Sequence, residues 1–193
     1  MAYKSIQFKS DDVTAVIDNV KCEFRIPLKY QSVLGADFSE AKGMIAFPCN
    51  DDEALQHSPY CIGEVVYVKE TWAKYGSEYL YRAGPVSGED SHGMAYQLKW
   101  KPATQMPRNA ARLFLEITDI KLQHIQDITI DEITHEGIWI HGSLFPKDTC
   151  AERWDSSMSE KKRSKYGWNM NPWVWAFTFR RCEKPEDWDA EID

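Results

Sequence analysis

The chain has no C-x-x-C pair, no apolar run long enough to cross a bilayer and no glycine-rich phosphate loop. Each gap removes a class of protein. The five cysteines, at positions 22, 49, 61, 150 and 182, are odd in number and scattered. Neither a disulfide framework nor a zinc ribbon follows from that spacing, and cytoplasmic free thiols are the simplest reading. A spanning helix needs about 20 consecutive apolar residues, so no membrane association is expected. Met1-Ala2-Tyr3-Lys4-Ser5 lacks the apolar core of a signal peptide, so a secreted precursor is not expected. Neither G-x-x-x-x-G-K-[ST], G-x-G-x-x-G nor G-x-S-x-G occurs. His135 and His141 are six residues apart, where four would put two ligands on one helix face. Cys49, His57 and Cys61 lack a C-x-x-C anchor, so no metal and no cofactor is assigned.

What is present suits a globular chain. Of 193 residues, 43 % are hydrophobic and 27 % charged, with a net charge of −7. The charge is unevenly placed. Residues 182–193 hold six acids and one lysine, a net of −5, so the other 181 residues carry only −2. A nearly neutral body can still hold a local basic site. The expected organisation is one domain over 1–181, with a long loop at about 30–60, and an acidic C-terminal tail at 182–193, solvated and frayed.

Ile6 and Phe8 alternate with polar neighbours and predict a first strand. Ser10 reads as an N-cap, and Val13, Val16, Ile17 and Val20 as one helix face ending near Asn19 or Lys21. Phe24, Ile26 and Leu28 predict a second strand, with Pro27 marking an edge or an end. Further strands are expected over Glu64–Glu70, Tyr79–Arg82 and Arg112–Leu122. In the last of these the apolar parity switches between Ile117 and Ile120, as at a bulge. Thr129 and Glu132 form a capping box, with Ile128 and Ile133 as its staple and Gly137 as the stop. Thr149 and Glu152 offer a second capping box. Trp173, Trp175, Phe177 and Phe179 share one parity of a final strand and read as core. The fold class expected is α+β, mainly β, built as a small mixed β-barrel with peripheral helices.

Four segments carry candidate chemistry. Lys21, at a helix end, and Arg25, on the following strand, place two cations at one mouth. Lys69-Glu70-Thr71-Trp72 ends a buried strand with a carboxylate able to orient a lysine or accept a proton. Lys99-Trp100-Lys101-Pro102, with Met106-Pro107-Arg108 and Arg112, interleaves cations with aromatics, as single-stranded nucleic acid requires. Lys161-Lys162-Arg163-Ser164-Lys165 puts four cations in five positions, either a solvated face or a contact of opposite sign to the chain.

Taken in order, these segments make the chain resemble the ASCH-domain proteins of the PUA-like superfamily, in the long form carried by tailed bacteriophages and prophages. The matching stretches are Asn19–Pro27 against G-x-K-T-x-T-R-R-P, then Pro59-Tyr60 through Gly63-Glu64 to Lys69-Glu70-Thr71-Trp72. Tyr81-Arg82, Lys99-Trp100-Lys101-Pro102 and Met106-Pro107-Arg108 follow. Glu136-Gly137, Trp154-Asp155 and Trp168 before Asn171–Trp175 close the series. The resemblance spans roughly Ile6–Arg181. It implies a small β-barrel with a cleft and a role in binding RNA or nucleobases. Some smaller relatives hydrolyse N4-acetylcytidine with a lysine, a threonine and a glutamate, and others are reported as ribonucleases. Lys21 matches that lysine. Phe24 stands where the threonine would be, and Ile26 where a cation is common; Glu70 is a physical choice for the glutamate.

Two functions are therefore expected to compete. In the first, the chain is a nucleic-acid- or nucleotide-binding module for RNA, single-stranded nucleic acid or a modified base. Trp72 or Trp100 stacks on the base, with Phe24 as a further ring able to do so. Lys21, Arg25, Lys101, Arg108 and Arg112 meet phosphate or base edges. In the second, it is a hydrolase acting on RNA or a modified nucleoside, with Lys21 and Glu70 as the catalytic pair. A third expectation is a phage accessory protein that binds a host protein through the tail and the 30–60 loop.

Overall fold

Patterning and capping locate most of the elements found in the computed structural model, which describes residues 3–29, 58–84, 98–138 and 145–189. Of these residues about 31 % are strand and 32 % helix. The class is α+β, with helix and strand in balance rather than mainly β. The strands are β1 (Ser5–Gln7), β2 (Glu23–Pro27), β3 (Val65–Lys69), β4 (Trp72–Tyr75), β5 (Glu78–Tyr81), β6 (Phe114–His124) and β7 (Trp173–Cys182). The α-helices are α1 (Ser10–Ile17), α2 (Ile130–His135), α3 (Pro146–Ser156) and α4 (Glu160–Tyr166). No helix among the described residues is long and apolar enough to cross a membrane.

Hydrogen-bonded order is β1-β3-β6-β7-β2 in a five-stranded sheet, with β4 and β5 as a separate hairpin. β1 runs parallel to β3, and β2 antiparallel to β7. Among the described residues the sheets do not close into a barrel, which corrects that expectation. The two outermost strands show why the sheet stays open. β1 has only three residues, and β2 ends on Pro27, which has no N–H to donate.

The chain divides into two compact units. Unit 1 comprises Met1–Lys21, Val65–Glu116 and Arg180–Asp193; unit 2 comprises Cys22–Glu64 and Ile117–Phe179. In unit 1, Val13 and Val16 of α1 are buried, as are Val66 and Val68 of β3. α1 closes at Asn19, whose φ of 57° lies in the left-handed region that asparagine tolerates. Val20, expected on the buried face, falls beyond this turn and is exposed. Lys9, not Ser10, occupies the N-cap.

The acidic tail is corrected most sharply. Trp188 is only 1 % exposed and packs with Tyr67 and Phe114, its ring centroid 4.8 Å from that of Phe114. The Tyr3 hydroxyl donates to Asp187, and Lys184 pairs with Asp189 at 2.6 Å. An indole buries more apolar area than any other side chain. One tryptophan therefore ties an otherwise hydrophilic segment to unit 1.

In unit 2 the capping box forms as read. Glu132 N–H donates to Thr129 Oγ1 at 3.2 Å, and Thr129 N–H to Glu132 Oε2 at 2.9 Å. Ile128 and Ile133 form one core with Ile138 and Cys150. Burial pushes the Cys150 thiol up to about 12, which keeps it protonated and inert. The second capping box is absent, because α3 already starts at Pro146 and Thr149 lies inside it. Trp175, Phe177 and Phe179 of β7 are buried, as the aromatic row predicts. Phe24 stacks on Phe177 at 4.9 Å and meets Tyr60 edge-on. It is a core ring and offers no face to a base. The bulk of the expected 30–60 loop lies outside the described residues, as do Cys49, His57 and His141.

Candidate functional site

In unit 1, β3 delivers Glu70 into an interior where its side chain is 0 % exposed. A buried carboxylate is tolerable only when paired and hydrogen-bonded. Arg112 supplies both terms. Its Nε donates to Glu70 Oε1 at 2.8 Å and its Nη2 to Oε2 at 2.9 Å. Nη2 donates again to the carbonyl of Ala83. The guanidinium lies 4.1 Å from the centroid of the Tyr81 ring. The phenol is itself fixed by donating to Ala110 O at 2.6 Å. Burial raises the Tyr81 pKa; Arg112 lowers it, Glu70 and Tyr79 raise it further, and the net is upward. Tyr81 is therefore a neutral platform under the cation.

Arginine carries five N–H donors in a fixed fork. Nε and Nη2 account for three, all bonded to protein. Nη1 makes no hydrogen bond among the described residues, and the Arg112 side chain is 31 % exposed. Gly84 lies alongside with φ of +139°, and a Cβ there would come within 3.5 Å of Nη1.

The neighbouring hairpin repeats the motif of a cation over a ring. A two-residue turn at Gly76-Ser77 pairs Trp72 with Tyr81 and Lys74 with Tyr79 across β4 and β5. Strand side chains alternate between faces, so these four share one face. Lys101 Nζ sits 4.8 Å over Trp72, and Lys74 Nζ 5.7 Å over Tyr79. Lys101 also exchanges two backbone hydrogen bonds with Trp72, of 3.1 and 2.7 Å, which fixes its segment along the hairpin. The Tyr79 hydroxyl donates to Asn109 Oδ1.

Several expected site residues prove to have other work. Lys21 and Glu70 do not form a pair. Lys21 is 5 % exposed, with Nζ 3.4 Å from Asp12 and 5.5 Å from the Phe8 ring. Both Glu70 oxygens belong to Arg112, whose planar fork matches a carboxylate as a lysine point charge cannot. Trp72 is buried against Met106 and Ala110, so it supports Lys101 rather than stacking on a base. Arg108 is turned inward. Its guanidinium lies 4.2 Å from the Trp188 ring and donates to Trp188 O at 3.2 Å. Trp100 is half-buried beside Lys101.

Arg25 belongs to unit 2, where its side chain is 0 % exposed. It is ringed by Glu136 at 2.6 Å, Glu132 at 3.2 Å and Glu23 at 3.3 Å. His135 adds a contact to Glu23 at 3.2 Å. A cation enclosed by three carboxylates cannot meet phosphate, so its expected binding role is replaced by a structural one. Burial pushes the Glu132 carboxyl up, but the Thr129 N–H, Arg25, Gln123 and Lys121 outweigh it and hold the net value below 4.5.

Lys74, Tyr79 and Tyr81 as partners of the site were not read from the sequence. The signal available was Gly76-Ser77, a two-residue hairpin loop between two short aromatic-rich segments. No group of three or more metal-ligating side chains occurs among the described residues. No family model, curated protein or solved structure matches the chain.

Proposed function

We propose that the hairpin face of unit 1 binds nucleic acid or a nucleotide, with RNA or a modified base as the ligand. One observation carries this reading. Arg112 is held rigidly through three N–H groups, while its two Nη1 hydrogens bond to none of the described residues and can donate to an oxyanion. The Glu70 charge cancels most of the long-range field of Arg112, so the arginine contributes direction rather than attraction. Lys101 and Lys74 supply the field. Half-buried Tyr79 and Trp100 provide aromatic surface beside these cations. The order of segments that resembles the ASCH proteins supports the same ligand class and a cytoplasmic setting. The hydrolytic reading through Lys21 and Glu70 is not carried forward, because Glu70 is engaged by Arg112.

Fluorescence anisotropy with labelled single-stranded RNA and DNA at two salt concentrations tests the proposal. Binding is expected at low salt and should weaken as salt rises. Arg112→Lys should lower affinity about tenfold, the worth of one lost charge-assisted hydrogen bond. Absence of binding to either strand at low salt would refute it.

A further inference from the structure

The described residues also hold a cationic helix face that no part of the hairpin site uses. Lys161, Lys162, Arg163 and Lys165 of α4 are all exposed, and among the described residues none is paired with a carboxylate. By contrast Arg25, Arg112 and Arg180 are each held by acids. Helical residues advance by about 100° each, which places Lys161, Lys162 and Lys165 within an arc of about 100°. Arg163 points elsewhere. Its stem packs over Gly167, where a Cβ would sit only 2.9 Å from Arg163 Cγ.

This face is fixed in place. Trp154 Nε1 donates to Tyr166 O and Asp155 Oδ1 accepts from Trp168 N–H, each at 2.8 Å. The Tyr166 hydroxyl donates to Lys29 O at 3.1 Å. Lys165 Nζ lies 5.1 Å over the Tyr166 ring. Three like charges on so short a helix repel one another. Apart from the contact of Lys165 with Tyr166, these lysine side chains form no pairing among the described residues, on an anchored helix in a chain of net charge −7.

We infer that the lysine face of α4, in unit 2, is itself a contact for the sugar–phosphate backbone of a single-stranded nucleic acid. The inference rests on the proposed function for its ligand class. Lysine stems of four carbons suit successive phosphates, which need point charges rather than a planar fork. Such a contact adds affinity and salt dependence without sequence preference.

The test uses the full chain carrying Lys161→Gln, Lys162→Gln and Lys165→Gln together, with labelled single-stranded RNA and a series of salt concentrations. These side chains pair with no acid among the described residues, so the melting temperature should not fall. Each single-strand phosphate contact contributes about 0.7 to the slope of log affinity against log salt. The triple variant should therefore lose about 2 from that slope and bind at least tenfold more weakly near 0.1 M salt. An unchanged slope overturns the inference. If Arg112→Lys weakens binding while the triple variant does not, the hairpin reading stands and this one falls. If the unsubstituted chain binds no strand, both fall. Loss in the triple variant of binding to anionic phospholipid vesicles but not to RNA would assign the face to a membrane surface and overturn the inference.

Discussion

Replacing Arg25 by methionine is expected to cost unit 2 about 3–5 kcal/mol, enough to threaten its folding. The attraction of the ion pairs is not the main reason. Taking ions from water is expensive, and a buried pair often only breaks even. The cost comes from what remains. Glu23, Glu132 and Glu136, with side chains 11–16 % exposed, would lose the one buried guanidinium that all three share. Methionine fills most of the volume, so the loss reads charge rather than cavity.

The pH dependence has a definite sign. The folded-state pKa of Glu132 lies below its ordinary value of 4.5, held there in part by Arg25. A group depressed in this way adds stability above its unfolded pKa and loses it as pH falls through the folded value. The gap between the parent chain and Arg25→Met should be widest near pH 7 and should narrow on acidification below about 4.5, as the Glu132 carboxyl protonates. Urea unfolding at pH 7 and at pH 4 measures both quantities. A loss under 1 kcal/mol at pH 7, or a gap that widens in acid, would show that the cluster does not depend on Arg25.

Trp188→Ala carries the second large effect, about 3–5 kcal/mol, the usual cost of emptying a buried tryptophan site. The indole meets Tyr3, Tyr67 and Phe114 at 5.3, 5.0 and 4.8 Å, and Arg108 lies over it. Cutting the chain after Cys182 should destabilise unit 1 as much as the point substitution does. Thermal unfolding compares the two, and a truncated chain as stable as the full one would return the segment to a frayed tail.

The contrast between what could and could not be read has a physical origin. The Thr129–Glu132 box, the Asn19 terminus and the β7 aromatics were legible because each is a local device. Its partners lie within four residues or repeat at the period of one element. The partners of charged groups are not local. Glu70 and Arg112 are separated by 42 residues, and Arg25 and Glu136 by 111. Sequence spacing does not decide whether Glu70 meets Lys21 or Arg112; burial and the shape of the fork do. The tail misled because composition averages over residues. Six acids outvote one tryptophan in a charge count, whereas in a core the tryptophan decides. Trp72 misled in a similar way, since an aromatic beside cations fits a ligand platform and a buried support equally well until exposure is known.

The most direct measurement follows the Arg112 side-chain N–H resonances by nitrogen-15 NMR while single-stranded RNA is added, with Arg112→Lys identifying the signals. Shielded by Glu70, the Nε–H should exchange slowly with water before any ligand is present. The account predicts a saturable shift at Arg112 whose midpoint matches the anisotropy titration. RNA that binds with the same affinity while the Arg112 signals stay still would contradict it.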